Sequence, residues 1–516
     1  MRAEPYPRAC RRQGQVRRCI AASPGKGGLQ SGAALGNAVR SARMTSAIDF
    51  ASSAARERAI GLLSERLGLS RLLTEPADCE AYRRDESEVQ GSLPDAVVLA
   101  QSASDIETTL RIAGEVCVPV TPRAAGTGKV GGCIPLYQGI VLDVASMTKI
   151  KDLNAVEGIV VVEPGVKLAD LHAAVEAAGW FYPPDPSSLL DCTIGGNIGT
   201  NAAGPRAFKY GATRDYVIGL DVHLVGGQHL RVGRRTRKGV TGYDVTSLIV
   251  GSEGTLGVVS EITLKLLPKP RETLALLALF ADVNAAARAV GKVTASGVLP
   301  RCIELFDATT LSAMRQAGNS LNEGAQAMLL IEVDGESESC LSQAERIEEA
   351  CSRSGSIEVV VAQNTSQRDR VWAARRTMSP AIRKLSNYKI SEDVVVGSQS
   401  IPELFARVER YTAEQKIRWL VYGHAGDGNL HVNYLWDDPD DKIRIDAAVA
   451  QLFRDTGDLR GTLSGEHGIG IAKAPFLELE QSSELIDLQR KLKGVFDPHG
   501  ILNPGKIFPR PGHGNC

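Results

Sequence analysis

Two short stretches near the end of the chain concentrate side chains that can bind a metal ion or transfer a proton. The first, residues 422–433, reads Tyr-Gly-His-Ala-Gly-Asp-Gly-Asn-Leu-His-Val-Asn and contains His424 and His431. The second, Gly-Glu-His-Gly at 465–468, contains Glu466 and His467. Because the 516 residues include only 8 histidines, three of them in two such short stretches point to a shared chemical role.

The first stretch predicts a β-hairpin that brings its polar side chains together. The residues before His424 are apolar and favour a strand, residues 425–428 have turn chemistry, and alternation resumes from Asn429. A turn at 425–428 would pair His424 with Asn429, so that His424, His431 and Asn433 share one face of the hairpin. Glu466 would complete two imidazoles and a carboxylate, a set that suits a divalent metal with open positions for a substrate.

The same residues have an interpretation without a metal. A histidine on a strand is more often a hydrogen-bonded structural residue than a ligand, and either histidine alone would favour that interpretation. The paired spacing, the glycine-rich turn and the later Glu466–His467 pair together favour a metal site. Imidazole and carboxylate ligands suit Zn²⁺ or Mn²⁺.

The composition is that of a globular protein with an acidic body. With 43% hydrophobic and 23% charged residues, a chain of this length can form two or three domains with their own cores. Residues 1–43 carry nine Arg and Lys against Glu4 alone, a net charge of +8, which leaves −9 for the rest. An acidic body gives no reason to expect a nucleic-acid partner.

The basic segment 1–43 has three interpretations. It contains Arg and Ser with almost no acidic residues, as transit peptides do. It also fits disorder or an overextended reading frame that begins at Met44, and we favour these two. We therefore expect a cytoplasmic protein, or a mitochondrial matrix protein if the segment is a transit peptide. No apolar run approaches the roughly 18 residues that span a bilayer, and ten scattered cysteines without a C-x-x-C pair indicate a reducing compartment.

Three glycine-rich segments between residues 126 and 257, each bounded by predicted strands, indicate one long cofactor between two small α+β layers. The first contains Gly126-Thr-Gly128-Lys-Val-Gly131, which matches the G-x-G-x-x-G dinucleotide pattern. That pattern is meaningful only where it opens a helix, and here a turn and a strand follow, so we expect no Rossmann loop. Glycines in an extended turn can still present backbone N–H groups to a pyrophosphate. The alternative is a loop-rich structural domain.

The glycine-rich half resembles the FAD-binding domain of the vanillyl-alcohol oxidase/p-cresol methylhydroxylase (PCMH) superfamily. The resemblance rests on Arg123-x-x-Gly-Thr-Gly, Pro183-Pro-Asp-Pro, Ile194-Gly-Gly-Asn-Ile-Gly-Thr-Asn-Ala and Gly254-Thr-Leu-Gly. The C-terminal Gly-His-x-Gly-Asp-Gly-Asn-Leu-His, Gly-Glu-His-Gly-Ile-Gly and Leu502-Asn-Pro-Gly-Lys506 resemble its D-2-hydroxy-acid dehydrogenase branch. That branch includes the glycolate oxidase FAD subunit, D-lactate dehydrogenase and D-2-hydroxyglutarate dehydrogenase.

The expected fold class is α+β, with a two-subdomain PCMH-type FAD-binding domain and a ferredoxin-like α+β substrate (cap) domain. The second part of this expectation rests on residues 272–362, which read as a repeated β-α-β pattern. The expected organisation is a disordered, targeting or overextended segment 1–43, the FAD-binding domain with N-terminal helices at 44–270, the cap domain with the metal site at 271–480, a segment returning to the FAD domain at 481–508 and a tail at 509–516.

The resemblance also implies the residues that contact FAD. They lie in the three glycine-rich segments, in the Pro-Pro-Asp-Pro motif and near the C-terminus: Pro122, Arg123, Ala124, Ala125, Gly126, Thr127, Gly128, Gly131, Pro184, Asp185, Thr193, Gly195, Gly196, Asn197, Thr200, Asn201, Ala202, Glu253, Gly254, Gly257 and Asn503. Lys506 is a further C-terminal candidate, and a C-terminal packing motif is the alternative for both Asn503 and Lys506. The chain departs from the family at Gly397, where a proline is expected after the valines, and at Lys129, where an apolar residue is common.

The substrate residues are expected on a helix predicted for Asp369–Leu385. Arg375 and Ser379 are four residues apart and share one face of that helix, and Arg375 could bind a carboxylate through two parallel hydrogen bonds. A surface arginine is the alternative, and Arg376 competes for the role. Lys389 is a weaker candidate for the same charge, and Asn433 would hydrogen-bond substrate or flavin.

The expected reaction is oxidation of a D-2-hydroxy acid to the 2-oxo acid. The metal on His424, His431 and Glu466 would bind the α-hydroxyl and lower its pKa. His467 would take the proton as general base, and the hydride would pass to flavin N5. The alternatives are a non-redox flavin synthase resembling alkyl-dihydroxyacetone-phosphate synthase and a non-catalytic flavin subunit of a larger oxidase. The sequence does not select among D-lactate, glycolate and D-2-hydroxyglutarate as the substrate. It also does not select the electron acceptor (quinone, cytochrome, flavoprotein or oxygen) or decide whether the chain forms a homodimer.

Overall fold

A computed structural model describes residues 51–508 except 317, 320, 363–366, 369–371, 373–374, 376–377 and 379–380. The expectations for segment 1–43, for the tail at 509–516, for Ser379 and for Arg376 lie outside the described residues. Within the described part of the chain, no helix has the length and apolar character that crossing a membrane requires.

The first layer of the half that is expected to bind FAD is a small four-stranded sheet in the order β1-β2-β4-β3. β2, β3 and β4 run parallel, and β1 joins β2 antiparallel. Its helix α3 begins at a capping box, because the Ser102 side chain accepts from the Asp105 N–H and the Asp105 carboxylate accepts from the Ser102 N–H. The elements are α1 (Ser53–Leu67), β1 (Leu72–Leu73), α2 (Pro76–Cys79), β2 (Ala96–Leu99), α3 (Ala103–Val116), β3 (Val120–Arg123) and β4 (Ile140–Asp143).

The second layer of that half is a five-stranded antiparallel sheet in the order β5-β6-β10-β8-β9, beside a two-strand ribbon of β7 and β11. No helix follows the glycines of 126–132, as expected from the sequence. The elements are β5 (Ile150–Asn154), β6 (Ile159–Val162), α4 (Leu168–Ala177), β7 (Trp180–Phe181), α5 (Ile194–Thr200), α6 (Ala207–Tyr210), β8 (Val217–His223), β9 (His229–Gly233), α7 (Val245–Ile249), β10 (Val258–Lys265) and β11 (Leu267–Pro268).

The cap half is built on a seven-stranded antiparallel sheet in the order β15-β12-β14-β13-β17-β18-β16. Its elements are β12 (Glu272–Phe280), α8 (Val283–Ala295), β13 (Cys302–Phe306), α9 (Ala308–Gln316), β14 (Ala327–Gly335), α10 (Ser337–Ser352), β15 (Ser356–Val361), β16 (Tyr388–Val395), α11 (Ile401–Gln415), β17 (Arg418–His424), β18 (Asn429–Trp436) and α12 (Lys442–Asp458). The four strands β12–β15 lie in the spatial order 4-1-3-2 of their own sequence, which is the ferredoxin-like arrangement. The sheet is larger than the predicted unit because β16–β18 extend it beyond β13.

The C-terminal residues return to the first layer after helix α13 (Ser483–Phe496). The Val120 N–H donates to the Ile501 carbonyl at 2.8 Å, and the Asn503 N–H donates to the Val120 carbonyl at 2.7 Å. The last described residues are therefore bonded to the edge of strand β3.

Candidate active site

The hairpin of β17 and β18 has the predicted register, with His424 opposite Asn429 and His431 opposite Tyr422. The turn depends on Gly428, whose φ of +81° lies in the left-handed region. A β-carbon at this position would overlap the Val396 carbonyl oxygen. The hairpin thus forms where the sequence supplies a glycine that can approach the neighbouring backbone.

The three predicted metal ligands meet in one place. One ligand atom from each of His424, His431 and Glu466 lies within 4.8 Å of the others. The Glu466 Oε1 atom is 3.7 Å from His424 Nε2 and 3.5 Å from His431 Nε2. Two atoms about 2.1 Å from a shared Zn²⁺ at a tetrahedral angle would lie roughly 3.4 Å apart. The two separations from Glu466 are close to this value.

The surroundings of these ligands also fit a cation. His424 directs Nδ1 to the Glu304 carboxylate at 2.5 Å, which leaves Nε2 to face Glu466. Burial lowers the pKa of His431 to about 3 and keeps this imidazole neutral, the form that binds metals. The Glu466 Oε2 atom is buried and has no hydrogen-bond partner among the described residues. An unsatisfied carboxylate oxygen beside two imidazole nitrogens suits a divalent metal.

His467 is held by a buried aspartate, Asp393, on strand β16. The His467 Nδ1 atom is 3.2 Å from Asp393 Oδ1, and its imidazole stacks on His431 with ring centroids 5.5 Å apart. Burial raises the pKa of Asp393, but His467 and Lys473 outweigh it and hold that pKa well below its usual value. His467 therefore directs Nε2, rather than Nδ1, away from Asp393.

Arg375 and Asn433 both contact the surroundings of the predicted metal ligands, one through Glu304 and the other through the His431 backbone. Arg375 is buried, lines the central cavity and donates from Nε to Glu304 at 3.0 Å. Asn433 is completely buried, and its amide donates to the His431 carbonyl. Lys389 lies on β16 outside the cavity wall, and burial, followed by Lys129 and Arg383, lowers its pKa to about 8.

A cavity of about 1580 Å³ runs between the two halves, with Glu466 and His467 in its wall. It exceeds the roughly 300–1,000 Å³ of a site for one drug-sized ligand, so a long cofactor and a substrate fit together. Most of the predicted FAD contacts line it: Pro122, Arg123, Ala124, Ala125, Gly126, Thr127, Gly128, Asp185, Thr193, Gly195, Gly196, Asn197, Thr200, Ala202, Glu253, Gly254 and Gly257. The Thr193 hydroxyl and the Asn197 Nδ2 atom are buried there without a partner among the described residues, as cofactor-binding groups would be.

Four predicted FAD contacts lie outside the described wall of this cavity: Gly131, Pro184, Asn201 and Asn503. The Pro184 carbonyl lies 3.0 Å from His172 Nε2, and the Asn201 side chain accepts from the Arg214 N–H. The Asn503 amide donates to the carbonyls of Gly132 and Glu253. The polar groups of Pro184 and Asn201 are thus bonded to the protein itself, whereas the Asn503 Oδ1 atom is buried without a hydrogen-bond partner among the described residues.

Comparison with known proteins matches both halves of the chain. A profile described as "FAD binding domain" matches residues 94–233, and one described as "FAD linked oxidases, C-terminal domain" matches residues 269–507. The glycolate oxidase subunit GlcD of Bacillus subtilis (strain 168) is 41% identical over 83% of this chain and 92% of its own length. The chain belongs to the FAD-linked D-2-hydroxy-acid dehydrogenase family. It is an FAD-binding oxidoreductase.

Other members of the FAD-linked family carry different substrate names. A D-lactate dehydrogenase of Anaerostipes hadrus is 33% identical over 83% of this chain and 92% of its own length. A D-2-hydroxyglutarate dehydrogenase of Xanthomonas citri pv. viticola is 34% identical over 86% of this chain and 96% of its own. Because relatives with three different substrate names match most of the chain, the comparisons assign the family and leave the substrate to the site.

Solved structures confirm the predicted fold class. The 4-ethylphenol oxidase of Gulosibacter chungangensis superposes with a TM-score of 0.74 at 19% identity, covering 90% of this chain and 99% of the oxidase. p-Cresol methylhydroxylase gives a TM-score of 0.72 at 14% identity, over 89% of this chain and 98% of its own. At such identities the likeness establishes the PCMH-type fold alone.

In this member of the family, Glu253 joins the FAD-binding half to the loop that carries the metal ligand. Its carboxylate accepts from the N–H groups of Ile469 at 2.7 Å and Gly470 at 2.8 Å, three and four residues after Glu466. Glu253 has a φ of +51°, and its carbonyl oxygen accepts from Asn503. A residue expected to contact FAD thus also fixes the loop after His467.

Two residues that hold the candidate site together, Glu304 and Asp393, are absent from the sequence-derived candidates. Each is a completely buried acid inside a strand, Glu304 within Cys302–Phe306 and Asp393 within Tyr388–Val395. A charged residue is expensive to bury unless it is paired. The other residues of Cys302–Phe306 are apolar, so that pattern could have identified Glu304 from the sequence, although not its partners. Asp393 directly follows Ser391 and Glu392, so the same pattern does not single it out.

Proposed function

We propose that this protein oxidises a D-2-hydroxy acid, or glycolate, to the corresponding 2-oxo acid. The proposal rests on one observation, the meeting of His424, His431, Glu466 and His467 at the wall of the cavity lined by the FAD candidates. The names of the relatives, glycolate oxidase subunit, D-lactate dehydrogenase and D-2-hydroxyglutarate dehydrogenase, support the same class of substrate.

His424, His431 and Glu466 would hold a divalent cation, with Zn²⁺ or Mn²⁺ as the ions that suit this donor set. Such an ion supplies a Lewis acid that lowers the pKa of a substrate hydroxyl. The protein contributes a preorganised set, because Glu304 fixes the His424 ring and the third ligand belongs to a loop held by Asp393. The open coordination positions would face the cavity, where Glu466 lies in the wall.

His467 would remove the proton from the substrate hydroxyl through its Nε2 atom. Its other ring nitrogen is 3.2 Å from Asp393, so the ring orientation is set before substrate binds. The ring is stacked on His431, which places the base next to a metal ligand. FAD supplies the acceptor for the two electrons that leave the substrate carbon as a hydride.

Arg375 would bind the substrate carboxylate. It is buried, lies in the cavity wall and packs over the Tyr422 ring at 5.3 Å, which favours a planar guanidinium in one orientation. Lys389 is a further candidate for an anionic substrate group.

The same proposal includes the domain limits at residues 270 and 480 and the predicted FAD contacts. It also includes a quinone, a cytochrome or another flavoprotein as the electron acceptor.

The test is anaerobic reduction of the bound flavin by single substrates. D-lactate, glycolate, D-2-hydroxyglutarate and L-lactate are each mixed with the purified FAD-loaded protein, and the flavin absorbance near 450 nm is followed. At least one of the first three should bleach the flavin while L-lactate does not. A flavin that none of them reduces, but that dithionite does, would refute the proposal and favour a non-redox or non-catalytic role.

A further inference from the structure

Glu304 is a buried carboxylate that contacts two functional side chains at once. It lies in β13, where all five residues are buried, and it is opposite His424 in the register of β13 and β17. Its Oε1 atom is 2.5 Å from His424 Nδ1, and its Oε2 atom accepts from Arg375 Nε at 3.0 Å. The exposed fraction of Glu304 is 0%, so these two contacts take place away from water.

The burial of this carboxylate is stabilised by its two partners together. A carboxylate removed from water is strongly destabilising unless opposite charge and hydrogen bonds surround it. Each oxygen of the Glu304 carboxylate has a nitrogen partner, because Oε1 lies against His424 Nδ1 and Oε2 accepts from Arg375 Nε. The positive charge of the Arg375 guanidinium offsets the buried charge of the carboxylate.

The two contacts fix complementary parts of the site. Holding His424 at Nδ1 presents its Nε2 atom to Glu466, since the two nitrogens lie on opposite sides of the ring. Holding Arg375 at Nε fixes its guanidinium plane, which also lies over the rings of Tyr422 and Phe306 at 5.3 and 5.9 Å. The first contact orients a metal ligand and the second orients the group that would bind the substrate carboxylate.

We propose that Glu304 is a positioning residue that sets both the metal-binding face of His424 and the orientation of the Arg375 guanidinium. This inference rests on the proposed function, because it takes the metal site and the carboxylate-binding role of Arg375 from it. One change at Glu304 should then weaken two different affinities, for metal and for substrate. A residue that only supports the sheet would not couple the two.

The test is Glu304→Gln, which keeps the shape of the side chain and removes its charge. Zn²⁺ and Mn²⁺ dissociation constants are measured by chelator competition on the FAD-loaded protein, and KM and kcat are measured with the substrate that bleaches the wild-type flavin. We expect metal affinity to fall about 10–100-fold, as is typical when the hydrogen-bond partner of a ligating histidine is lost. KM at saturating metal should rise by a larger factor than kcat falls.

Glu332→Gln is the matched control. Glu332 is a buried carboxylate on the neighbouring strand β14, where it accepts from Trp372 Nε1 at 2.6 Å and pairs with Arg301. Like Glu304 it is bonded to a nitrogen donor and paired with an arginine, but its hydrogen bond and ion pair are made to Trp372 and Arg301 rather than to His424 and Arg375. Its substitution should leave the metal dissociation constant within about threefold of wild type.

A second pair of variants tests the same inference in case the Glu304→Gln protein does not fold. That variant leaves Arg375 buried without its partner, and a lone buried charge is strongly destabilising. Glu304→Gln combined with Arg375→Gln removes both charges, and its reference is Arg375→Gln alone. The double variant should bind metal about 10–100-fold more weakly than the single one.

The outcomes separate this inference from the function on which it rests. A wild-type protein that binds neither Zn²⁺ nor Mn²⁺ would overturn the metal site itself. A wild-type protein that binds metal, together with unchanged metal affinity in the Glu304 variants, would overturn only the role of Glu304. Weaker metal binding with an unchanged KM would likewise overturn the dual role.

Discussion

Asp393 and His467 form a buried carboxylate–imidazole pair with 3.2 Å between Asp393 Oδ1 and His467 Nδ1. The other oxygen, Oδ2, accepts from three consecutive backbone N–H groups, those of Gly465, Glu466 and His467, at 2.8, 2.7 and 3.0 Å. One side chain thus fixes both the loop that carries Glu466, a proposed metal ligand, and the ring of His467, the proposed base. The first prediction concerns this pair.

Asp393→Asn should reduce kcat by about 10²–10⁴-fold, the range of a general base that is lost or misoriented. An amide can accept from the loop N–H groups through one oxygen but cannot also stabilise the His467 ring as an anion does. Turnover and flavin content are measured on the purified protein. Glu392→Gln is the control, because Glu392 is the buried neighbour that pairs with Lys473 at 3.7 Å. Equal losses in both variants would contradict the special role of Asp393.

His467→Ala should keep FAD and metal but lose about 10²–10⁴-fold in turnover, since it removes the proposed base and none of the three ligands. Flavin absorbance, metal analysis and single-turnover flavin reduction measure the three properties separately. His499→Ala, at an exposed histidine, controls for the loss of an imidazole. Near-normal turnover in His467→Ala would remove His467 from the mechanism.

The hairpin and the ligand set could be predicted because their determinants are local. The Gly-Asp-Gly turn fixes the register of β17 and β18, and this register sets His424 opposite Asn429. Residues a few positions apart therefore determine the geometry of the hairpin.

The missing parts of the site depend on contacts between distant segments. Glu304 is 120 residues before His424, and Glu253 is 216 residues before Ile469, so no spacing rule connects either pair. The size of the cap sheet escaped prediction for the same reason, because the pairing of β13 with β17 joins segments that lie far apart in the chain. Long-range pairing of this kind is set by packing of the whole domain.

Metal removal should abolish flavin reduction by substrate. Exhaustive dialysis against EDTA should inactivate the protein while FAD stays bound, because the three ligands are His424, His431 and Glu466 whereas the FAD candidates lie in other segments. Activity should return when Zn²⁺ or Mn²⁺ is added after the chelator is removed. Full activity with a metal content below a few per cent of the protein would rule the metal proposal out.

Gly428→Ala should destabilise the hairpin and weaken metal binding. A left-handed backbone costs a residue with a side chain about 1–2 kcal/mol, and the added carbon would also overlap the Val396 carbonyl oxygen. Gly397→Ala is the control, since Gly397 has a φ of −54° and open space around an added β-carbon. Unfolding free energies and metal dissociation constants are measured for both. A Gly397 variant as damaged as the Gly428 variant would contradict the prediction.

Lys389→Met should stabilise the protein at pH 7 and lose this advantage as the pH rises. Burial, followed by Lys129 and Arg383, lowers the pKa of Lys389 to about 8, so the folded state binds this proton less tightly than the unfolded state. Below pH 8 the charged lysine destabilises the folded state by its full amount. This destabilisation decreases as the pH rises above 8 and vanishes near the ordinary lysine pKa of about 10.4. The gain at pH 7 has an upper limit of about 3 kcal/mol.

Denaturant unfolding of wild type and Lys389→Met between pH 7 and pH 10 measures this gain. The exposed Lys384→Met makes the same change in net charge and is the control. The difference in unfolding free energy between wild type and Lys389→Met should shrink steadily above pH 8, because the wild-type lysine then loses its proton on folding. Two results would contradict the prediction: a difference in unfolding free energy that stays constant across this pH range, or an equal difference for the two variants. Either would mean that the charge of Lys389 is accommodated in the fold without cost.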